Sequence, residues 1–261
     1  MLVLKIGGSM AEKSDALAED IAKLKEQLVI VHGGGAQATA LEKLSGREPQ
    51  YIYSKEGFKT RRTDKHVMDS FVMASGGGLN TRLVQILRKH GVNAAGICSG
   101  SGIVLAKRKT LISHENGKEK LIRDDYSGKI QKIDPTLLKL LLSAGYVPVI
   151  PHIGMGEEFE SLNVDGDRAA AAIAGKLGAE KVVLFTDVDG YFRNFPNDLV
   201  QTAKQSDIPE FQKGASAGMK RKLVAVDEAL SAGVKEVIIC SGLKENPVSA
   251  ALNGGGTHFT K

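Results

Sequence analysis

The sequence predicts an α/β fold, a three-layer sandwich with a mostly parallel central sheet and helices on both faces. Three observations carry this expectation. Unbroken β-favouring runs recur, as in Leu28-Val-Ile-Val31, Val147-Pro-Val-Ile150 and Val182-Val-Leu-Phe185, and such runs mark strands buried on both faces. Stretches long enough for a helix separate them, the order that builds a parallel sheet. Glycines gather at the strand ends. There are 30 in 261 residues, above the usual share of about 7%, and their placement marks turns instead of low complexity.

The elements follow in order along the chain. Leu2–Ile6 is a first strand ending at Gly7-Gly8, and Ser14 is placed to cap a helix running to about Gln27. The Leu28–His32 strand ends in Gly33-Gly-Gly35, and Ala36–Leu44 can form the next helix. Pro49–Lys59 reads as irregular or a short hairpin. Thr63 has an N-cap residue's place, with Asp64 in the first turn of a helix that runs to about His90 and stops at Gly91. Gly76-Gly-Gly78 should bring a kink or a close backbone contact within it. A β-rich section covers Asn93–Cys98, Ile103–Lys107, a hairpin from Leu111 to Arg123 turning at Asn116-Gly117, and Lys129–Ile133. Asp134-Pro135 starts a helix in the favoured cap-then-proline order, and Gly145 ends it. Then come a strand over Tyr146–Pro151, an alanine-rich helix over Arg168–Leu177 and a strand over Lys181–Thr186. The chain closes with a helix over Ala217–Ala232, a strand over Glu236–Cys240, a helix over Asn246–Leu252 and a short terminal strand. No Pro/Ser-rich linker divides the chain, so residues 1–261 form a single domain.

Bulk properties narrow the function. A net charge of +5 favours an anionic substrate, but aromatics are only 5% and no Arg/Lys-rich recognition helix stands out, which argues against nucleic acid. Cys98 and Cys240 lie in apolar runs without metal-ligand spacing, and no uncharged stretch approaches membrane length. Met1 runs directly into a strand, so a cytoplasmic protein with reduced thiols, no membrane segment and no metal site is expected.

The candidate site lies beyond the carboxyl ends of the strands, where ligands bind in open α/β sheets. Lys5-Ile-Gly-Gly8, His32-Gly-Gly-Gly35, Asn163-Val-Asp-Gly-Asp167 and Thr186-Asp-Val-Asp-Gly190 all fall at strand ends or helix starts. They bring a lysine, glycine amides and carboxylates to one edge, and Lys220-Arg-Lys222 adds cations at a helix start. Glycine amides followed by a helix suit a phosphate. A lysine inside an apolar strand points to function, whereas His32 reads as a local hydrogen-bond partner and Asp167 also stands where it could cap the alanine helix. Gly33-x-Gly35-x-x-Ala38 fits a loose dinucleotide pattern, but on the second strand and without the acidic residue expected downstream. Gly175-Lys176 is not a P-loop, because Leu177 stands where Ser or Thr is needed.

Lys5-x-Gly-Gly, Val31-His-Gly-Gly-Gly, Asn163-x-Asp-x-Asp167 and Gly218-Met-x-x-Lys222 occur in the order of the amino acid kinase family, which the whole chain resembles. Arg61-Arg-Thr-Asp64, Lys107-Arg-Lys109, Asp125-Tyr-Ser-Gly128 and Glu245-Asn-Pro247 make it most similar to the N-acetylglutamate kinase branch, within that branch to kinases acting on LysW-bound aminoadipate or glutamate. The resemblance implies ATP-dependent phosphorylation of a side-chain carboxylate, with Mg2+ carried by the nucleotide. It assigns Lys5, Lys222 and Asp167 to catalysis and Gly7, Gly8, Gly34 and Gly35 to phosphate binding. Arg61 and Asn163 match substrate-binding positions, and Thr186, Asp187 and Gly190 match nucleotide-binding ones. Asp165 departs from the asparagine common in acetylglutamate kinases. The resemblance also implies a homodimer, an acyl-substrate lobe over residues 1–165 and a nucleotide lobe over 166–261. Lys107, Arg108 and Lys109 could offer a small acidic LysW-like carrier protein a cationic landing surface. The alternative within the branch is a kinase of free N-acetyl-L-glutamate. A non-catalytic sensor on the same fold would lack Lys5, Asp167 or Lys222, and all three are present.

Overall fold

The computed structural model describes residues 1–11, 15–53, 59–115 and 118–261. The expected Ser14 cap and the Asn116-Gly117 turn lie outside these residues. Eight strands form the main sheet, in the spatial order Thr202–Lys204, Thr257–Thr260, Glu236–Ser241, Lys181–Thr186, Leu2–Ile6, Leu28–His32, Val147–Pro151 and Ala94–Gly96. The strands from Glu236–Ser241 to Ala94–Gly96 pair in parallel, and Thr257–Thr260 returns antiparallel on Glu236–Ser241. The predicted mostly parallel sheet is present, and Leu2–Ile6 sits at its centre.

The period of two along each strand sorts the core into two layers. Val3, Val29, Val31, Val182, Leu184, Val237 and Ile239 share one layer with Ala170 and Ile173 of the Gly166–Leu177 helix and Leu223 and Val226 of the Ala217–Ser231 helix. Leu2, Leu4, Leu28, Ile30, Val183, Phe185 and Ile238 share the other with Leu17, Ile21, Leu83, Leu87 and Val248. All of these side chains are buried, each contributing roughly 1.5–3 kcal/mol for the larger ones. This explains the uninterrupted apolar runs: both faces of each central strand are covered.

The alanine-rich composition of Gly166–Leu177 has a packing cause. A Cβ on Gly175 would stand 2.5 Å from Ala232 Cβ, so this helix and the end of Ala217–Ser231 approach too closely for larger residues. On the other face, the buried Asp20 carboxylate accepts hydrogen bonds from Val248 N (2.7 Å) and Ser249 N (2.9 Å). It thereby caps the Pro247–Leu252 helix from a distant part of the sequence.

A second sheet has the order Ser161–Asn163, Ile153–Met155, Val104–Arg108, Gly128–Ile133. Leu111–Glu115 pairs antiparallel with Lys118–Ile122, as expected, and Tyr51–Tyr53 pairs antiparallel with Lys59–Arg61, the hairpin alternative for Pro49–Lys59 but running on to Arg61. The structure corrects several local expectations. The helix after Thr63 is capped by Asp64, whose carboxylate accepts from Val67 N at 2.9 Å, while Thr63 is buried and donates its N–H to Asp125 (2.8 Å). The first long helix spans Asp15–Ala22, short of Gln27. Val72–Leu79 is a π-helical segment within the run to Lys89, and the close approach there belongs to Ser75, not to the three glycines. Gly8–Ala11 and Ile208–Gly214 are additional helices. Cys98 is exposed despite its apolar neighbourhood, whereas Cys240 is buried.

Candidate active site

The centre of the site is a carboxylate held between two ammonium groups. Asp167 Oδ1 lies 2.7 Å from Lys5 Nζ, and Oδ2 lies 3.1 Å from Lys222 Nζ. Each element places its residue for a local reason. Lys5 stands near the end of the central strand, in register with Val31 and Leu184. Asp167 belongs to the first turn of Gly166–Leu177, and the cap of that helix is Asp165, whose Oδ1 accepts from Asp167 N (3.0 Å) and Arg168 N (3.1 Å). Asp167 is therefore not the cap, and its carboxylate is left for the lysines. Lys222 is carried by Ala217–Ser231, which Ser216 caps by accepting from Met219 N at 3.3 Å.

Electrostatics fix the protonation states. Burial alone would raise the Asp167 pKa, but Lys5 and then Lys222 outweigh it and hold the carboxyl well below its usual range. Burial lowers the Lys222 pKa, as does repulsion from Lys5, against the pull of Asp167. The three groups together carry one net positive charge, a site suited to an anion.

A cleft opens on either side of this trio. One, of about 430 Å³, is lined by Lys5 and Lys222 together with Gly7, Phe185, Thr186 and Asp187, among others. The other, of about 560 Å³, is lined by Gly35, Arg61, Phe71, His152, Asn163 and Arg221, among others. Each draws on both halves of the chain, since Lys5 and Gly7 face the first and Arg221 the second.

The two strand-end glycine turns meet between the clefts. Gly33 N donates to Ile6 O at 2.8 Å, and a Cβ on Gly8 would fall 3.0 Å from Gly34 N. Gly7 and Gly35 border the clefts, Gly35 with open space where a side chain would be and Gly7 with Met10 Sδ 3.9 Å from that position. Gly34 is demanded by packing, because its Cβ would lie 2.3 Å from Ser75 Cβ. Gly34→Ala should therefore destabilise the protein by about 1–3 kcal/mol through overpacking. Urea denaturation checks this, and an unchanged midpoint would refute it.

Arg61 reaches the second cleft, but its guanidinium is already engaged. Nη1 donates to Thr39 Oγ1 (2.5 Å) and Gly35 O (3.3 Å), Nη2 pairs with the buried Glu42, and the group lies over the Phe71 ring. Asn163 Nδ2 donates to Thr63 Oγ1 at 3.1 Å. Thr186 Oγ1 donates to Asp187 Oδ1 at 3.0 Å, and both line the first cleft. Gly190 does not line it. It is buried against Thr257 at φ 156°, where a Cβ would fall 2.5 Å from Thr257 Oγ1.

The three basic residues of the Lys107–Lys109 run differ in kind. Lys107 is exposed. Arg108 turns back on the protein, donating Nε to Asp125 O (2.7 Å) with its guanidinium 3.9 Å from the Tyr126 ring centroid. Lys109 is half-buried.

Sequence reasoning missed Arg221 and His152. Arg221 was one of three adjacent cations whose direction on the helix could not be told from their order. His152 follows a buried strand, and its buried ring packs edge-on against Phe71 with centroids 5.4 Å apart. His32 does satisfy a local hydrogen bond, its Nδ1 standing 2.7 Å from Gly33 O.

Comparison with known proteins agrees with this geometry. The amino acid kinase family matches residues 1–241. The LysW-aminoadipate kinase of Thermus thermophilus is 36% identical over 266 residues, covering 98% of this chain and 99% of that one. The LysW-aminoadipate/LysW-glutamate kinase of Sulfurisphaera tokodaii is 34% identical over 261 residues, covering 98% and 99%. Among solved structures, N-acetylglutamate synthase from Neisseria gonorrhoeae, complexed with coenzyme A and N-acetyl-glutamate, superposes with a TM-score of 0.80 at 26% identity. That match covers the whole of this chain and 59% of the longer one. With the family matching residues 1–241 and these relatives aligned along nearly their whole length, the chain belongs to the amino acid kinase family.

Proposed function

We propose that the protein transfers the γ-phosphoryl group of ATP to the side-chain carboxylate of L-2-aminoadipate or L-glutamate, giving an acyl phosphate in lysine and arginine biosynthesis. The substrate's amine is held on a small acidic LysW-like carrier protein. The observation that carries the reading is the Lys5–Asp167–Lys222 trio, net positive and set between two clefts.

The chemistry needs little more. A side-chain carboxyl with a pKa of about 4.3 is already ionised at neutral pH, so no general base is required. One carboxylate oxygen attacks the γ-phosphorus as the bond to the bridging oxygen of ADP breaks. The protein's task is alignment and neutralisation of the charge that moves onto the transferring group and ADP. Lys5 and Lys222 do the latter, with Asp167 holding their ammonium groups in place. Gly7, Gly8, Gly34 and Gly35 offer backbone N–H groups to phosphate oxygens, and the Gly35–Leu44 helix, which has no side-chain cap, points its amino end there. Thr186 and Asp187 shape the nucleotide end, while Gly190 packs behind them against Thr257. Arg61 and Asn163 orient the acylated amino acid. Mg2+ arrives with the nucleotide. Residues 1–165 contribute most of the acyl cleft and the contacts of a homodimer, and residues 166–261 contribute the nucleotide-binding strand end.

Trapping the acyl phosphate with hydroxylamine tests the reading. Hydroxamate should form with Mg-ATP from aminoadipate or glutamate attached to an acidic carrier, and only weakly from free N-acetyl-L-glutamate. Efficient turnover of the free compound would favour an acetylglutamate kinase instead, and no hydroxamate from any of them would refute both.

A further inference from the structure

Arg221 is the charged group of the acyl cleft that this mechanism leaves without a task. It precedes Lys222 on the Ala217–Ser231 helix and lines the cleft with Arg61 and Asn163. It is exposed, and among the described residues it has no hydrogen-bond or ion-pair partner. Arg61 differs, its two terminal nitrogens engaged by Glu42, Thr39 and Gly35 O with only Nε left unpaired.

Lys109 stands behind it. Its backbone N–H donates to Ser127 O (2.8 Å), and Ser127 bridges to Asn163 in the cleft, so Lys109 is one strand removed from the lining. Its ammonium also has no ion-pair partner among the described residues. Asp125 and Asp165 act on Lys109 through space, but neither forms an ion pair with Lys109 or Arg221. Asp125 accepts from Thr63 N (2.8 Å) and Ser127 N (2.7 Å), and Asp165 is taken up by the helix cap. Arg168 is closed by Glu228. Burial lowers the Lys109 pKa, and the neighbouring charges of Arg168 and Arg221 add to that effect against Asp165 and Asp125.

We propose that Arg221, supported by Lys109, binds a second anionic group, a carboxylate on the acyl cap of the substrate's amine. It thereby selects substrates with a charged cap over those capped by neutral acetyl. The inference rests on the carboxylate-kinase reading above and adds the residue that reads the cap. An exposed guanidinium beside a half-buried ammonium suits a carboxylate, which a guanidinium can engage through two parallel hydrogen bonds.

The test compares γ-L-glutamyl-L-2-aminoadipate, whose cap carries a free carboxylate, with N-acetyl-L-2-aminoadipate in the hydroxylamine assay. Wild type should favour the charged cap in kcat/KM by roughly ten- to a hundredfold, the range of a charge-assisted hydrogen bond. Arg221→Gln should remove most of that ratio by raising KM for the charged cap with little change in its kcat. Arg221→Lys should restore part of it, and Lys109→Met should lower it less. A ratio near one in wild type, or the same ratio in Arg221→Gln, overturns the inference while leaving the kinase reading intact. Phosphorylation of neither compound by an enzyme that still turns over the carrier-bound substrate overturns the inference alone, and failure with the carrier-bound substrate as well overturns both.

Discussion

Asp167→Asn should reduce kcat by about 10²–10³-fold and lower stability by about 3–5 kcal/mol, although the two side chains have nearly the same shape. The substitution leaves the Asp165 cap untouched and keeps an acceptor for one lysine, with an amide NH2 turned to the other. What it removes is the charge that lets two ammonium groups, each with 13% side-chain exposure, stand on either side of one carboxylate. Without it, Lys5 and Lys222 repel each other while both are largely buried. The direction of rescue is specific. Nucleotide phosphates bring negative charge to the same place, so Mg-ADP should raise the Tm of Asp167→Asn more than that of wild type. pH supplies a second check. Burial and Lys5 already depress the Lys222 pKa, and loss of Asp167 deepens the shift. A lysine whose folded pKa lies below its unfolded one gains stability as pH rises through that window. The deficit of the variant should therefore shrink on the alkaline side. Calorimetric scans with and without Mg-ADP, beside the hydroxamate assay, check all three points. An active variant of wild-type stability would remove the trio from the mechanism.

The sheet was legible in the sequence because its strands are covered on both faces. Val3, Val29 and Val182 stand side by side in register, and no polar residue could occupy such positions. Lys5 was legible for the same reason, as the one charge inside the central strand. Glycine turns announced the edge where the site forms. The remainder depends on direction, which order along the chain does not contain. Lys220, Arg221 and Lys222 are adjacent, and only the helix's placement decides that Lys222 meets Asp167 while Arg221 faces the acyl cleft. Asp165 and Asp167 are both reasonable caps by type, and the geometry of one turn separates their roles. Arg108 read as part of a cationic landing surface, yet its planar group finds Tyr126 and a backbone carbonyl. The capping of Pro247–Leu252 by Asp20 spans most of the chain and leaves no local pattern at all.

Two buried histidines beneath the glycine turn should make the fold acid-sensitive well above the carboxylate range. His32 Nδ1 faces Gly33 O at 2.7 Å and must carry a proton, while its Nε2 faces Asn80 Nδ2 at 2.9 Å. The amide is oriented by a further bond, because the same Nδ2 donates to Val149 O at 3.0 Å. Protonating Nε2 would thus set one N–H against another inside the core. His152 Nδ1 faces His32 O at 3.3 Å, which links the two rings through one backbone. Burial pushes the His32 pKa down to about 4. Burial, helped by His32 and Lys5, pushes His152 down to about 3. Both unfolded values are about 6.5. A histidine with a depressed folded pKa contributes stability above the unfolded value and loses it as pH falls toward the folded one. Between about pH 6 and 4 the unfolded chain binds extra protons at both sites, and stability should drop by up to about 2.7 kcal/mol per pH unit. Against a typical total of about 5–15 kcal/mol, that decides whether the protein is folded at pH 4. Urea midpoints from pH 7.5 to 4.5 measure the slope, and His32→Asn should roughly halve it. Imidazole resonances that titrate near 6.5 in the native state, or a flat stability profile over this range, would show that these rings are not held neutral by their partners.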